Sequence, residues 1–288
     1  MEILEEIKRL SYSPVLASCV RKLRLRNFMR RAYARLCGVP RVLKFSLCGI
    51  EVSLLARTPL ELRCIEATWF SEQEMLSAVL SKLKSGDVFL DVGSNLGMIT
   101  VFAARAVGSR GMVFAFEPET TAHTRLLENI RLNNLDNVKV FTKGLSCSRG
   151  NRNLLLGDED GVSQSSRISE ADGRSKIIET VDYDWLVDSQ QFPIPSVVKM
   201  DIEGHEFSAL QGMRRALSKP SCVALFCEVH PADLPKGVTV EQVLELIGSL
   251  GFKDIVAKDR AAQLQVFAGK EHKEKPRWSS SSLVRSDL

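Results

Sequence analysis

Apolar positions along this chain fall in short unbroken runs, each followed by a segment of helical spacing. Val88, Phe89 and Leu90 form one such run, closed by Asp91, and from Ile99 onward apolar and small residues dominate. A run of that length without alternation predicts a strand covered on both faces. The pattern then repeats. Strands are predicted at 113–116, 138–141, 197–201, 223–229, 254–257 and 263–268, with helices at 120–134, 207–217 and 240–250. Upstream, residues 42–56 alternate like a strand pair around Cys48 and Gly49, and a helix at 72–84 leads into the first buried strand. This succession predicts an α/β fold, a Rossmann-like mostly parallel sheet with helices on both faces. The expected division is an N-terminal helical and hairpin extension at 1–71, a main domain at 72–269 and a disordered tail at 270–288. No repeat is visible.

Residues 144–182 are too long and polar for a plain crossover. They hold two apolar islands, Leu154 to Leu156 and Ile177 to Val181, which are expected to pair as extra strands with a mobile loop between them. A substrate-facing insertion is the reading of this segment.

The turn after the first buried strand carries the first chemical signal. In Asp91-Val92-Gly93-Ser94-Asn95-Leu96-Gly97, two glycines flank a strand-to-helix junction. Glycine permits positive φ and close backbone approach, and the first N–H groups of a helix are free to face a ligand. A dinucleotide turn needs a third glycine where Ser94 stands, and no Gly-Lys-Ser/Thr follows, so neither a dinucleotide nor a P-loop site is expected. An acid on the strand with a G-x-x-x-G turn suits S-adenosylmethionine, a zwitterion with a sulfonium and no phosphate. Glu117, at the end of the next strand, is placed to accept both ribose hydroxyls. Asp91, Gly93, Ser94, Asn95, Gly97, Glu117 and Asp201 are therefore the candidate cofactor residues.

Four stretches, DVGSNLG, FEPE, VVKMDIEGHEFSALQG and FCEVHP, come in that order and resemble the FkbM family of S-adenosylmethionine-dependent methyltransferases. The likeness spans roughly residues 85–232, and its most specific part is KMDIEGHE at 199–206, similar to the family's K-x-D-x-E-G-x-E. Ser94 stands where the family usually has Ala. The resemblance implies a class I methyltransferase fold of seven strands ordered 3-2-1-4-5-7-6, the seventh antiparallel. It also implies O-methylation of a sugar, glycolipid or other small-molecule hydroxyl.

A methyl transfer to oxygen needs in-line geometry and a group that takes the hydroxyl proton. Lys199 and Asp201 share one side of the fourth core strand, Glu203 and Glu206 follow, and Glu228 and His230 end the fifth. A buried Lys199 is expected to meet a carboxylate, Asp201 or Glu228. The expected reacting centre is Asp201 with His230, supported by Lys199, Glu203 and Glu228, without a metal; a divalent cation held by Asp201, Glu203, Glu206 and Glu228 is the less favoured reading. The alternatives are a non-catalytic S-adenosylmethionine-binding module or methylation of another acceptor, such as protein or RNA.

Composition narrows the field only slightly. With 288 residues and 44% hydrophobic content the chain can bury one sizeable core. A net charge of +4 does not by itself argue for nucleic acid, and DIEG stands where base-modifying enzymes often carry Asn/Asp-Pro-Pro-Tyr/Phe. The seven cysteines show no metal-like spacing and read as free thiols. The acidic start MEILEEIKRL lacks the basic beginning of a signal peptide, so a cytoplasmic protein is expected. Residues 21–35 interleave arginines with apolar side chains, a pattern for packing on the domain or for peripheral membrane contact.

Overall fold

A computed structural model describes residues 35–36, 38–157, 166–168, 173–190, 192–260 and 262–270. The basic N-terminal helix, the middle of the 144–182 insertion and the C-terminal tail expected from sequence lie outside the described residues, wholly or nearly so.

Among the described residues the first strands form a hairpin of β1 (Arg41–Leu47) and β2 (Ile50–Ala56), turned at Cys48 and Gly49, whose φ values of 52° and 77° suit a two-residue turn. Helix α1 (Pro59–Lys82) follows, and it begins at Pro59, not at 72. The reason is a cap that the apolar pattern hides. Thr58 accepts from the Glu61 amide at 3.1 Å, Pro59 occupies the first turn, and Glu61 returns a bond to the Arg57 amide at 2.6 Å. The helix therefore runs unbroken through position 71, and the hairpin packs on the same core as the sheet, with Val52, Leu54, Ile65, Phe89 and Phe102 in one cluster.

The expected alternation comes next: β3 (Val88–Val92), α2 (Met98–Val107), β4 (Met112–Phe116), α3 (Thr120–Leu132) and β5 (Val138–Phe141). The insertion then folds. Its apolar islands pair antiparallel as β7 (Gly150–Leu155) and β9 (Ser175–Val181), joined by β6 (Gly144–Leu145) and β8 (Arg167–Ile168) in a separate sheet ordered β6-β9-β7-β8. A helix absent from the expectation, α4 (Tyr183–Gln190), follows, its Trp185 amide bonded to the Asp182 carboxylate at 2.8 Å.

After β10 (Val197–Asp201), the helix expected at 207–217 is two helices, α5 (Glu206–Gln211) and α6 (Arg214–Ser218). The break lies at Gly212, where a Cβ would sit 1.9 Å from the Ser146 carbonyl oxygen. Asp184 caps α6 from outside, accepting from the Arg215 and Ala216 amides at 2.8 Å each. Strand β11 (Ala224–Val229), helix α7 (Val240–Ser249) and strands β12 (Asp254–Arg260) and β13 (Gln263–Gly269) follow.

The main sheet has seven strands ordered β12-β13-β11-β10-β3-β4-β5, with β13 antiparallel to both neighbours. Counted along the chain within this sheet, that is 3-2-1-4-5-7-6. This is the class I methyltransferase arrangement. Two apolar clusters fill its faces, one under α1 and α2, the other under α5, α6 and α7. Among the described residues no helix is long and apolar enough to cross a membrane.

Candidate active site

The site grows from the carboxyl ends of β3, β4, β10 and β11, where an open α/β sheet leaves its crevice. Gly93 and Gly97 have φ values of 79° and 88°, and Asn95 between them has 47°. At Gly93 a Cβ would lie 1.9 Å from the Asp201 carbonyl oxygen, so only glycine lets the turn lie against the end of β10. The turn's amides are mostly spoken for. Those of Gly93 and Ser94 donate to the Phe116 carbonyl at 3.0 and 3.2 Å, and that of Asn95 donates to Glu117 Oε2 at 2.8 Å. Asn129 on α3 anchors the turn from behind, donating to the Leu96 carbonyl and accepting from the Leu55 amide, each at 2.8 Å.

Glu117 is buried, and its second oxygen accepts from the Glu119 amide at 2.8 Å. Burial pushes this carboxyl up to about 7 despite the two amides that favour its charge. Each oxygen keeps a lone pair for a further donor. Glu117 lines a cavity of about 200 Å³ whose wall also includes Gly93, Asn95, Gly97, Asp201, Glu203 and Glu228. The far wall comes from α1 (Glu72), the β12–β13 connection (Arg260, Gln263) and the insertion (Lys143, Ile168).

Asp91 does not line that cavity. Its carboxylate is wholly buried beneath the turn, accepting from Thr100 Oγ1 at 2.6 Å, with Lys199 Nζ 3.7 Å from its other oxygen. Burial raises the Asp91 carboxyl, with Lys199 and Thr100 opposing. Lys199 is the hub: it donates to the Gly93 carbonyl at 2.9 Å and lies 3.7 Å from Asp201 Oδ2. Burial works against its charge, but Asp201 and Asp91 outweigh that, and the ammonium is held above the usual lysine range. Of the two partners expected for Lys199, Asp201 is the one within ion-pair distance.

His230 sits behind the cavity wall, only 4% exposed. Its Nδ1 meets Glu206 Oε1 at 2.8 Å, and its Nε2 lies 3.3 Å from Glu203 Oε2, 3.7 Å from Asp201 Oδ1 and 2.9 Å from the Gln263 amide nitrogen Nε2. Burial disfavours its charged form, yet the Glu206 hydrogen bond and the charges of Glu206, Asp201 and Glu203 push it up to about 9. His230 thus lies behind Asp201 and Glu203, which do face the cavity, and does not itself line it. Glu203, in a left-handed backbone conformation with φ 53°, has its carboxyl pushed up to about 7 by burial, with His230 opposing. Glu228 is likewise pushed up to about 7, by burial and then by Asp201 and Glu72. Arg260 partly offsets this, with Nη1 2.5 Å from Glu72 and 3.5 Å from Glu228.

Three participants escaped the sequence reading of the site, Thr100, Arg260 and Gln263, since a helix threonine and a hairpin turn have no motif of their own; Glu206 was named among the acids of the KMDIEGHE stretch, but not as the partner of His230.

The methyltransferase FkbM domain family matches residues 91–253. Hexuronic acid methyltransferase AglP of Haloferax volcanii is 33% identical over 168 residues, 58% of this chain and 66% of that protein. The 23S rRNA (uracil(1939)-C(5))-methyltransferase RlmD of Acinetobacter baumannii is 28% identical over 104 residues, 36% of this chain and 22% of that protein. The chain thus spans just under two thirds of the first relative and less than a quarter of the second. Among solved structures, a SAM-dependent O-methyltransferase from Thermotoga maritima superposes with a TM-score of 0.44 at 13% identity, covering 82% of this chain and 79% of that one.

Proposed function

Because the chain belongs to the FkbM methyltransferase family, whose domain spans residues 91–253, we propose that it transfers a methyl group from S-adenosylmethionine to a hydroxyl of a sugar, glycolipid or related small-molecule acceptor. The observation that carries this reading is a single cavity whose wall runs from the Gly93–Gly97 turn and Glu117 to Asp201, Glu203 and Glu228. The donor set fits the cofactor: a buried carboxylate with two free lone pairs suits a ribose diol, and an acid-rich wall suits a sulfonium and an ammonium. S-adenosylmethionine supplies an electrophilic methyl group, which the acceptor oxygen takes as the C–S bond breaks and sulfur keeps the electron pair.

The protein's part is placement and proton removal. Glu117 and Asn95 hold the ribose side, and the Asp201–Ile202 end of β10 holds the methionine side. Asp201 and Glu203 face the acceptor and take the hydroxyl proton, with His230 and Lys199 fixing their positions from behind. A saccharide acceptor is favoured because the relative that matches over 168 residues is a hexuronic acid methyltransferase.

The test is comparison of glycans and glycolipids extracted from cells with and without the protein, followed by reaction of the purified chain with the species that changes. One added methyl group on one saccharide species is the expected result. Cofactor binding with no turnover on any extracted acceptor would favour a non-catalytic binding module.

A further inference from the structure

Three side chains at the inner edge of the cavity converge in a way that proton removal alone does not require. Asp201, Glu203 and His230 each offer one donor atom, and these lie within 4.8 Å of one another. Donor atoms bound at right angles to a small divalent ion lie about 3 Å apart. The His230 Nε2 distances of 3.3 Å to Glu203 and 3.7 Å to Asp201 are a small relaxation away from that.

The imidazole is also held as ligating histidines are held. Glu206 grips Nδ1 at 2.8 Å, the carboxylate–histidine arrangement that fixes a metal ligand, and Nε2 is left toward the two carboxylates and the Gln263 amide nitrogen, which an ion would displace. Glu206 has no exposure to solvent, and its Oε2 makes no hydrogen bond. Glu206 thus adds a buried negative charge behind the imidazole to those of Asp201 and Glu203 in front of it. The wall shows the same surplus, with six acids against three bases. Those bases are already engaged: Lys143 with Glu179, Lys199 with Asp91 and Asp201, and Arg260 with Glu72 and Glu228.

We propose that Asp201, Glu203 and His230 bind a divalent cation of the oxygen-preferring kind, Mg²⁺ or Mn²⁺, and that this ion holds the acceptor's reacting hydroxyl. This departs from the metal-free reaction expected from the sequence. The ion takes the place of the Nε2 proton, which leaves to solvent. With Asp201 and Glu203 as ligands and no longer proton acceptors, the ion makes the bound hydroxyl more acidic, and its proton passes to Glu228 on the wall as the new C–O bond forms and sulfur keeps the C–S electron pair. An ion there also counters the repulsion that six wall acids would exert on a negatively charged saccharide. The ion's catalytic use rests on the methyl-transfer reading above, whereas its binding does not.

The experiment titrates Mn²⁺ alone into the full-length, chelator-treated protein and follows free Mn²⁺ by electron paramagnetic resonance. One ion per chain is expected, bound at least tenfold more weakly by Asp201→Asn, Glu203→Gln and His230→Ala, and unchanged by Glu179→Gln on the insertion. Circular dichroism of each variant separates loss of ligand from loss of fold, and the three ligand variants do not all depend on one residue's tolerance. A dissociation constant weaker than about 1 mM, or folded ligand variants that bind as the parent does, overturns the proposal. Saturable Mn²⁺ binding without methyl transfer to any saccharide would leave the site standing and remove the methyl-transfer reading alone.

Discussion

At the scale of single residues, Glu117 gives the cleanest handle on the cofactor. Its carboxylate accepts from two amides and faces the cavity. Glu117→Ala should weaken S-adenosylmethionine binding by at least about 1 kcal/mol, read by calorimetry. The pH dependence has a definite sign. Burial holds this carboxyl at about 7, and a diol donates to the charged form, so affinity should rise as pH passes upward through about 7 and then level off. Glu117→Gln should flatten that slope. Asp201→Asn and Glu203→Gln should each lower kcat by roughly a hundredfold or more, since both touch the acceptor side. Lys199→Met should lower rate and stability together: it removes the cation facing two acids, one of them wholly buried, and breaking such a pair costs about 3–5 kcal/mol. Denaturant unfolding checks the second half of that expectation.

At the scale of elements, what holds the site is the way turns are pinned. Gly93→Ala places a methyl group 1.9 Å from the Asp201 carbonyl oxygen in a backbone region that L side chains avoid. It should cost at least about 1–3 kcal/mol and reduce cofactor affinity in the same variant, measured by melting and calorimetry. The apolar runs of the core strands were readable because β3, β4, β10 and β11 are buried on both faces, and burial on both faces leaves an unbroken apolar signature. The start of α1 was not readable. Its buried Glu61 looks like a surface charge in the sequence and becomes a core group only through Arg125, 2.9 Å away on a distant helix. Nor could the docking of β2 be read, because Asn129 and Asn133 on α3 bond its Leu55 and Ser53 amides in place of a neighbouring strand. Isolated asparagines on a helix carry no such message. The motif residues Asp201, Glu203 and His230 were legible as a group, while the charge state of His230 depended on the geometry of Glu206.

At the scale of the whole molecule, distant stretches of chain are tied around one mouth. Arg260 and Lys258 on β12 bond Glu72 and Glu74 on α1, joining the last hairpin of the sheet to the helix that precedes its first strand. Both ties are partly exposed, and surface pairs are worth only about 0–1 kcal/mol each, so removing Lys258 should leave the melting temperature nearly unchanged. The deeper tie is Lys199. One ammonium bonds the carbonyl of Gly93, in the turn proposed to receive the cofactor, and faces Asp201, proposed to receive the acceptor. Whatever shifts one partner redistributes the field felt by the other, so the two binding equilibria are not independent. Linkage is reciprocal: if the cofactor tightens the acceptor by some factor, the acceptor must tighten the cofactor by that same factor. A closed thermodynamic cycle of four titrations, repeated with Lys199→Met, should show a coupling in the parent protein that shrinks toward zero when the shared cation is gone.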